Sequence, residues 1–490
     1  MLEKHGVEHR LLDANVEGIL HLLRSPAPPK IADDVWTKRA FSNRERNLFS
    51  LRSAAIYGKI DRYKRVVNDI GKVLAEVSPT GSAVGLVNYR HAELSPLRSG
   101  DLLAAAEHPD LNPFYPYFRS RLTELFREKE PSVVGISVNF LSQALCAFSM
   151  LGFIRRECPK VRLIMGGGLV TSWSKSPQWK NQFSGLVDHL VAGPGEHQLL
   201  ALLGLEAKGE RMPKPDYNAL PRDSYLSPGF ILPYSASTGC YWSKCEFCPE
   251  RAEGAPYNPI PAGQVISDLK AITEETAPML VHFLDNAMSP ALLDALSGNN
   301  IAVPWYGFVR IDSRLAAPDF CAALKEAGCV MLKLGIESGD QGVLDAMQKG
   351  IKLETASAAL KNLKRVGIAV YVYLLFGTPA ETEAAAQKTL EFTVRHSDVI
   401  DFLNLAIFNM PLCGMTAPVI ERRNFYEGDL SLYTDFIHPR GWSRKSVRMF
   451  LENKFRRHPA VSAILKNDPP FFTSNHAPFF VMQSSVRGKR

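Results

Sequence analysis

Three cysteines stand within nine positions in STGCYWSKCEFCPE, residues 237–250, at Cys240, Cys245 and Cys248. A disulfide uses two thiols, and a structural zinc site uses four protein ligands. Three thiolates suit a cubane iron–sulfur cluster, which takes soft ligands at its four irons. Three from one loop would hold three irons and leave the fourth open to a chelating small molecule. Zinc would need a distant fourth ligand, because no further histidine or cysteine lies within thirty residues of Cys248. The sequence alone leaves that alternative open. Cys146, Cys158, Cys321 and Cys329 fall on helix or strand positions and read as core. Cys413, in NMPLCGMT after the last barrel strand, is a candidate catalytic residue, since a thiol there can donate a hydrogen atom or bind substrate. A small buried turn residue is its commoner role. No second cluster is indicated.

The chain that must position these thiols has 490 residues, more than one core usually serves, so two or three domains are expected. Its 46% apolar and 22% charged residues are those of a folded protein, not a disordered one. A net charge of +7 admits an anionic ligand. No Lys/Arg block with interleaved aromatics appears, and nucleic acid is not expected as a partner. Grouped thiols without a secretory signal ahead of them point to a reducing, cytoplasmic setting. One uncharged stretch, residues 131–154, is long enough to cross a bilayer. Its Gly135, Asn139, Ser142 and Gln143, with a β-branched first half, predict instead a buried strand turning into a helix. No transmembrane segment is expected.

The predicted fold class is α/β: an N-terminal doubly wound (Rossmann-like) domain, a six-strand partial (β/α) barrel, and a small, mostly helical C-terminal region. The boundaries fall at 1–202, a Pro-rich linker at 203–232, the barrel at 233–424 and the remainder at 425–490. In the first part SVVGISV and VRLIMGG read as parallel strands buried on both faces, separated by a helix. GGG at 166–168 and GPGE at 193–196 stand where strands end, the ligand edge of such sheets. The opening MLEKHG reads as the last turn of a helix capped by Gly6, with VEHRLLDAN as a strand after it. The usual first strand is therefore missing, through a late start or a reduced domain, and the late start is the favoured reading. Residues 16–130 read as mostly helical, with no chemistry assigned. From 233 to 408 the strand candidates are LPYSAST, MLVHFLD, VPWYGFVRI, CVMLKLGI, AVYVYLLFG and DFLNLAIF, with amphipathic helices between them. Active groups of such barrels collect at the C-terminal strand ends, and the cysteines follow the first strand directly.

This region resembles the radical SAM enzymes. In that family three cysteines after the first barrel strand bind a 4Fe–4S cluster, and S-adenosylmethionine chelates the fourth iron. One electron then releases a 5′-deoxyadenosyl radical that abstracts a substrate hydrogen. The commonest spacing is C-x3-C-x2-C, whereas this chain has C-x4-C-x2-C. The resemblance implies that Phe247 packs beside the adenosine and that Asp285 and Asn286, in FLDNAMSP, lie near the methionine end. It also implies that Arg310, in FVRID, pairs with a carboxylate, and that Glu337 and Ser338, in LGIESGDQGVLDAMQKG, approach the ribose. Gly377, in LLFGTPAET, would give backbone access to adenine, with Ala380 in place of the family's usual glycine.

The 130–200 region resembles the cobalamin-binding domain of one radical SAM subgroup, although the cobalt-ligating D-x-H-x-x-G motif is absent. Cobalamin, if bound, would meet backbone around Ser137 to Leu141, Gly166, Gly167, Gly168 and Gly193 to Gly195. The same residues would otherwise form a sheet edge covering the barrel mouth. The reading favoured is cobalamin-dependent methylation of an unactivated carbon, on a small-molecule or lipid substrate. An electron donor such as flavodoxin or ferredoxin is implied. The alternatives are radical SAM cyclisation, rearrangement or oxidation without cobalamin turnover, and a non-catalytic iron–sulfur or zinc protein. In the C-terminal region DFIHPRGWSRKSVRMFLENKFRRHP reads as a basic amphipathic helix, and DPPFFTSNHAPFF as an aromatic segment for core or substrate closure.

Overall fold

The computed structural model describes residues 1–28, 34–177, 179–206, 214–413, 420–423 and 428–487. The chain forms two compact units. One comprises Met1–Phe49, Arg65–Ser224 and Asn424–Thr434; the other comprises Ser50–Lys64, Tyr225–Arg423 and Asp435–Arg490. The chain passes from the first unit to the second between Ser224 and Tyr225, inside the Pro-rich stretch 203–232.

In the first unit the apolar runs form a parallel sheet of β1 (Val133–Ser137), β2 (Arg162–Gly166) and β3 (His189–Leu190), in chain order. The register pairs Ser137 with Gly166, so both C-terminal ends finish at one edge. The uncharged stretch is the predicted strand followed by a helix, Leu141–Glu157. Its residues are buried on nearly every side, as expected of a helix without a polar face. Gly152 lets it cross the helix Ser99–Glu107, because a Cβ there would lie 2.5 Å from the Ala106 carbonyl carbon. Among the described residues no helix is long and apolar enough to cross a membrane.

Gly6 does cap a short helical turn, with φ +64°. The expected strand VEHRLLDAN is not formed. Asp13 instead accepts from the Val16 amide at 3.1 Å and starts a helix at Ala14–Arg24. An N-cap followed by an amphipathic run outweighed the local β pattern.

The second unit holds a six-stranded parallel sheet of β4 (Ile231–Tyr234), β5 (Leu280–Phe283), β6 (Trp305–Val309), β7 (Cys329–Glu337), β8 (Ala369–Phe376) and β9 (Phe402–Ile407). Neighbours in the sheet are neighbours in sequence, with a crossover helix in each connection from β5 onward. This is the partial (β/α) barrel predicted. Outer-face residues such as Leu332, Leu334 and Ile336 are fully buried. The inner face is unusual: the register sets Tyr306 beside His282, and Lys333 beside both Phe308 and Tyr371. Barrel interiors are normally filled by branched apolar residues.

After a short strand, Tyr433–Phe436, the C-terminal region is helical. The basic segment forms Arg444–Phe450, burying Val447 and Phe450. The aromatic segment leads into the helix Thr473–Arg487, which packs against β7 and β8. There His476 is buried, its Nδ1 hydrogen-bonded with the Tyr63 hydroxyl at 2.7 Å, and Asn475 Oδ1 accepts from the Tyr306 hydroxyl at 3.1 Å. Its FF residues are partly core, as Phe479 shows by its burial.

Candidate active site

The cysteine loop leaves β4 and is closed at its base by a two-residue antiparallel ladder, Ser237–Thr238 with Asn258–Pro259. Gly239, at φ +71°, makes the turn into the loop; a Cβ there would lie 2.8 Å from the Pro256 carbonyl carbon. Asp285 holds the same corner. Its buried carboxylate accepts from the Ala236 amide at 3.0 Å and the Ser237 hydroxyl at 2.5 Å, and burial raises its pKa. Asn286 reaches the Gly239 carbonyl at 3.4 Å. Both predicted residues therefore brace the entry to the loop.

Cys240, Cys245 and Cys248 are all half-buried. Burial pushes the Cys245 thiol up to about 11, against a lowering influence from Lys349, and each of the other two cysteines raises it further. Burial also raises Cys248, while the backbone amides of Glu250 and Arg251 lower it by donating to its sulfur. Amides directed at sulfur are the setting a cluster-bound thiolate uses. No group of three or more His, Cys, Asp or Glu among the described residues is gathered around a single metal ion. A cubane asks for a wider spread, because each thiolate serves a different iron.

The four residues between Cys240 and Cys245 are anchored across the barrel mouth. Ser243 adopts φ +43°, and Trp242 lies under the Arg310 guanidinium with 3.6 Å between the charge centre and the ring centroid. The indole N–H donates to the Gln348 carbonyl at 3.1 Å. Arg310, just beyond β6, donates through Nη2 to the carbonyls of Lys349 and Gly350, at 2.9 and 2.5 Å. Gly350 has φ +66°, and a Cβ there would lie 2.7 Å from Arg310 Nη2. Arg310 was expected to face a ligand carboxylate; most of its visible bonding clasps the loop, and its Nε is left without a partner.

Glu337 ends β7 at φ +69°, a strained position for a residue with a side chain. Its carboxylate pairs with Lys349 at 2.7 Å, both groups being largely buried, and Lys349 Nζ lies 5.5 Å from the Phe247 ring centroid. The predicted Phe247 and Glu337 thus meet through a lysine. Ser338 is wholly buried, donating or accepting at Thr389 and accepting from the Asp340 amide, so its hydroxyl braces the turn after β7. Gly377 follows β8 at φ +80° and donates its amide to Glu381 at 2.5 Å. Cys413 is half-buried beyond β9; the residues after it, 414–419, lie outside those described.

In the first unit Ser137, Gly166, Gly167 and Gly193 come together at the C-terminal edge of the sheet. Asn139 Oδ1 accepts from the Gly168 amide at 2.9 Å, and the Gly193 amide donates to Thr171 at 2.9 Å. Gly167, at φ +102°, passes so near β1 that a Cβ would lie 2.5 Å from the Val138 carbonyl oxygen. Phe140 stands 67% exposed beside this edge. Cys158, Cys321 and Cys329 are buried, as expected, while Cys146 is half-buried and accepts from Asn112 at 3.7 Å.

Residues 234–393, which hold the three-cysteine loop and the barrel through β8, match the radical SAM superfamily. Members of that superfamily use a 4Fe–4S cluster and S-adenosylmethionine. Curated relatives include an uncharacterized methyltransferase of Pyrococcus horikoshii, 23% identical over 56% of this chain and 66% of that protein. The bacteriochlorophyllide d C-12(1)-methyltransferase of Chlorobaculum tepidum is 25% identical over 34% of this chain and 38% of its own length. The chain therefore spans less than two thirds of either relative. Among solved structures, the radical S-adenosylmethionine methyltransferase TsrM from Kitasatospora setae, with cobalamin and a [4Fe-4S] cluster bound, matches with a TM-score of 0.51. It is 16% identical, over 69% of this chain and 79% of that one, so the likeness is one of fold.

Lys349, Trp242 and Gly350 are the site residues that sequence reasoning missed. A signal existed: AMQKG closes the fourth-strand motif LGIESGDQGVLDAMQKG, and its glycine marked a positive-φ turn at the barrel mouth.

Proposed function

We propose that this protein is a radical SAM methyltransferase that uses cobalamin to methylate an unactivated carbon of a small-molecule or lipid substrate. The observation that carries the reading is the loop of three half-buried thiols at the C-terminal mouth of a six-strand β/α barrel. Bound there, the cluster would supply the electron that cleaves S-adenosylmethionine to a 5′-deoxyadenosyl radical, while cobalamin would carry the methyl group. The chain's own part is to hold the thiols through the Trp242–Arg310 clasp and the Lys349–Glu337 pair. It also sets Phe247 and Gly377 at the same mouth. Cobalamin would lie on the edge formed by Ser137, Gly166, Gly167 and Gly193, where backbone amides and the exposed Phe140 offer contacts that need no histidine ligand. The methyltransferase names of both curated relatives favour methyl transfer.

The experiment is anaerobic reconstitution with iron, sulfide and hydroxocobalamin, followed by turnover under a flavodoxin or ferredoxin reducing system. About four irons per chain are expected, lost in a Cys240/Cys245/Cys248→Ala variant, together with bound cobalamin. Turnover should then yield S-adenosylhomocysteine and 5′-deoxyadenosine together. Iron and 5′-deoxyadenosine without cobalamin or S-adenosylhomocysteine would replace methylation by another radical reaction. Zinc in place of iron would remove the radical reading altogether.

A further inference from the structure

Lys333 projects from the middle of β7 onto the inner face of the barrel and is only 8% exposed. No carboxylate among the described residues pairs with it. Its one hydrogen-bond partner is His282 Nε2 at 2.9 Å. Burial and the neighbouring Lys333 charge hold His282 far below its ordinary pKa, to about 3, so the imidazole accepts from the ammonium and adds no charge. Burial alone lowers the Lys333 pKa, to about 8. The aromatic surroundings are weak counterweights: the Tyr306 and Phe308 ring centroids lie 5.5 and 5.9 Å from Nζ. His282 is itself fixed, stacked on Tyr306 at 4.3 Å with 7° between the planes, and Tyr306 is tied to Asn475.

A desolvated cation without a counter-charge destabilises the fold that contains it, and a packed apolar side chain would serve the barrel better. The arrangement has a use if a ligand brings the missing charge. Toward the mouth side Phe308, Tyr373 and His282 keep part of their surface exposed, while the space over Gly335, the next inward position toward the strand end, is taken up by the Glu337–Lys349 pair. Leu284, two residues beyond His282 at the rim, is 49% exposed.

We propose that Lys333 and His282 form the floor of the substrate site and receive an acidic group of the substrate, a carboxylate or a phosphate. The position of that site in the barrel rests on the radical SAM reading; the charge argument does not. Lys333 supplies the charge, and His282 holds the ammonium toward the barrel axis.

The test uses the full-length chain, purified anaerobically, with pyridoxal 5′-phosphate as the probe, because it joins an aldehyde to a phosphate. The imine it forms with an amine, with loss of water, is fixed by cyanoborohydride and located by peptide mass spectrometry. Lys333 is expected among the labelled residues. Inorganic phosphate or succinate, at about ten times its dissociation constant, should cut that labelling roughly tenfold while leaving surface lysines such as Lys129 unprotected. Protection by phosphate alone assigns a phosphorylated substrate, and protection by succinate alone a carboxylate. Lys333 left unlabelled while Lys129 reacts would show a closed barrel and overturn the proposal. Labelling that neither anion reduces would overturn it too, leaving only a reactive amine. Iron content and 5′-deoxyadenosine formation on the same preparation test the radical SAM reading separately, so either can fail alone.

Discussion

Replacing Lys349 by methionine would remove the charge and keep the unbranched stem that packs beside Phe247. The carboxylate of Glu337 would then be left unpaired where its side chain is 11% exposed. Breaking a buried pair from one side costs about 3–5 kcal/mol, most of it the stranded charge. For a unit of this size each kcal/mol moves the melting temperature by about 2–4 °C, so a fall of roughly 6–20 °C is expected. The assay is thermal or urea unfolding of the cluster-free protein, which separates this effect from iron binding. The double variant Glu337→Gln/Lys349→Met leaves no charge behind and should recover most of the loss. Iron uptake should fall in the single variant, because Cys245 loses the cation that lowers its thiol pKa while Glu337 still raises it. A loss below about 1 kcal/mol for the single variant, as for a solvated surface pair, would refute the reasoning. So would a double variant as unstable as the single one.

Three further outcomes follow from the geometry. Gly350→Ala forces a side chain into a left-handed backbone and against Arg310 and Trp242, so a loss of about 1–3 kcal/mol is expected. It should be read by urea titration beside a shift in tryptophan emission, and an unchanged emission would mean that the clasp is intact. Burial raises the Glu381 carboxyl from 4.5 to about 7, so its stabilising influence is present below pH 4.5 and lost as pH rises through 7. That span corresponds to about 3 kcal/mol; Glu381→Gln should therefore gain stability relative to the parent between pH 5 and 8, and a difference independent of pH would contradict it. Gly167→Ala should cost about 2 kcal/mol or more, because its Cβ would meet the Val138 backbone. It should also weaken hydroxocobalamin binding measured by equilibrium dialysis, and unaltered binding would move the cofactor away from that edge.

The barrel was legible because each buried parallel strand is a continuous apolar run between helices of a different period. All six strand candidates correspond to strands in the sheet, in the order of the chain. The cysteines were legible for a different reason, since spacing in one loop survives folding unchanged. What could not be read was the support of that loop. Trp242 meets Arg310 and the Gln348 carbonyl only because the first, third and fourth strand ends converge at one mouth. Periodicity carries no information about such meetings. Ser338 shows the converse. The motif marks it, but its direction depends on the turn after Glu337, which buries it against Thr389. At the N-terminus Val7, Leu11 and Leu12 suggest a strand over 7–15, yet no described residue of that segment is in a strand, and Asp13 starts a helix within it.

The Trp242–Arg310–Gly350 clasp bears on how this protein could be rebuilt. Trp242 has a docking place made by two other segments, Arg310 beyond β6 and residues 348–350 past the short helix Gln341–Ala346. A chimera that moved residues 237–259 alone would carry an indole with nowhere to sit, and its thiols would be free to wander. The transplantable module is the loop together with Arg310 and Gly350, three stretches that must travel as one.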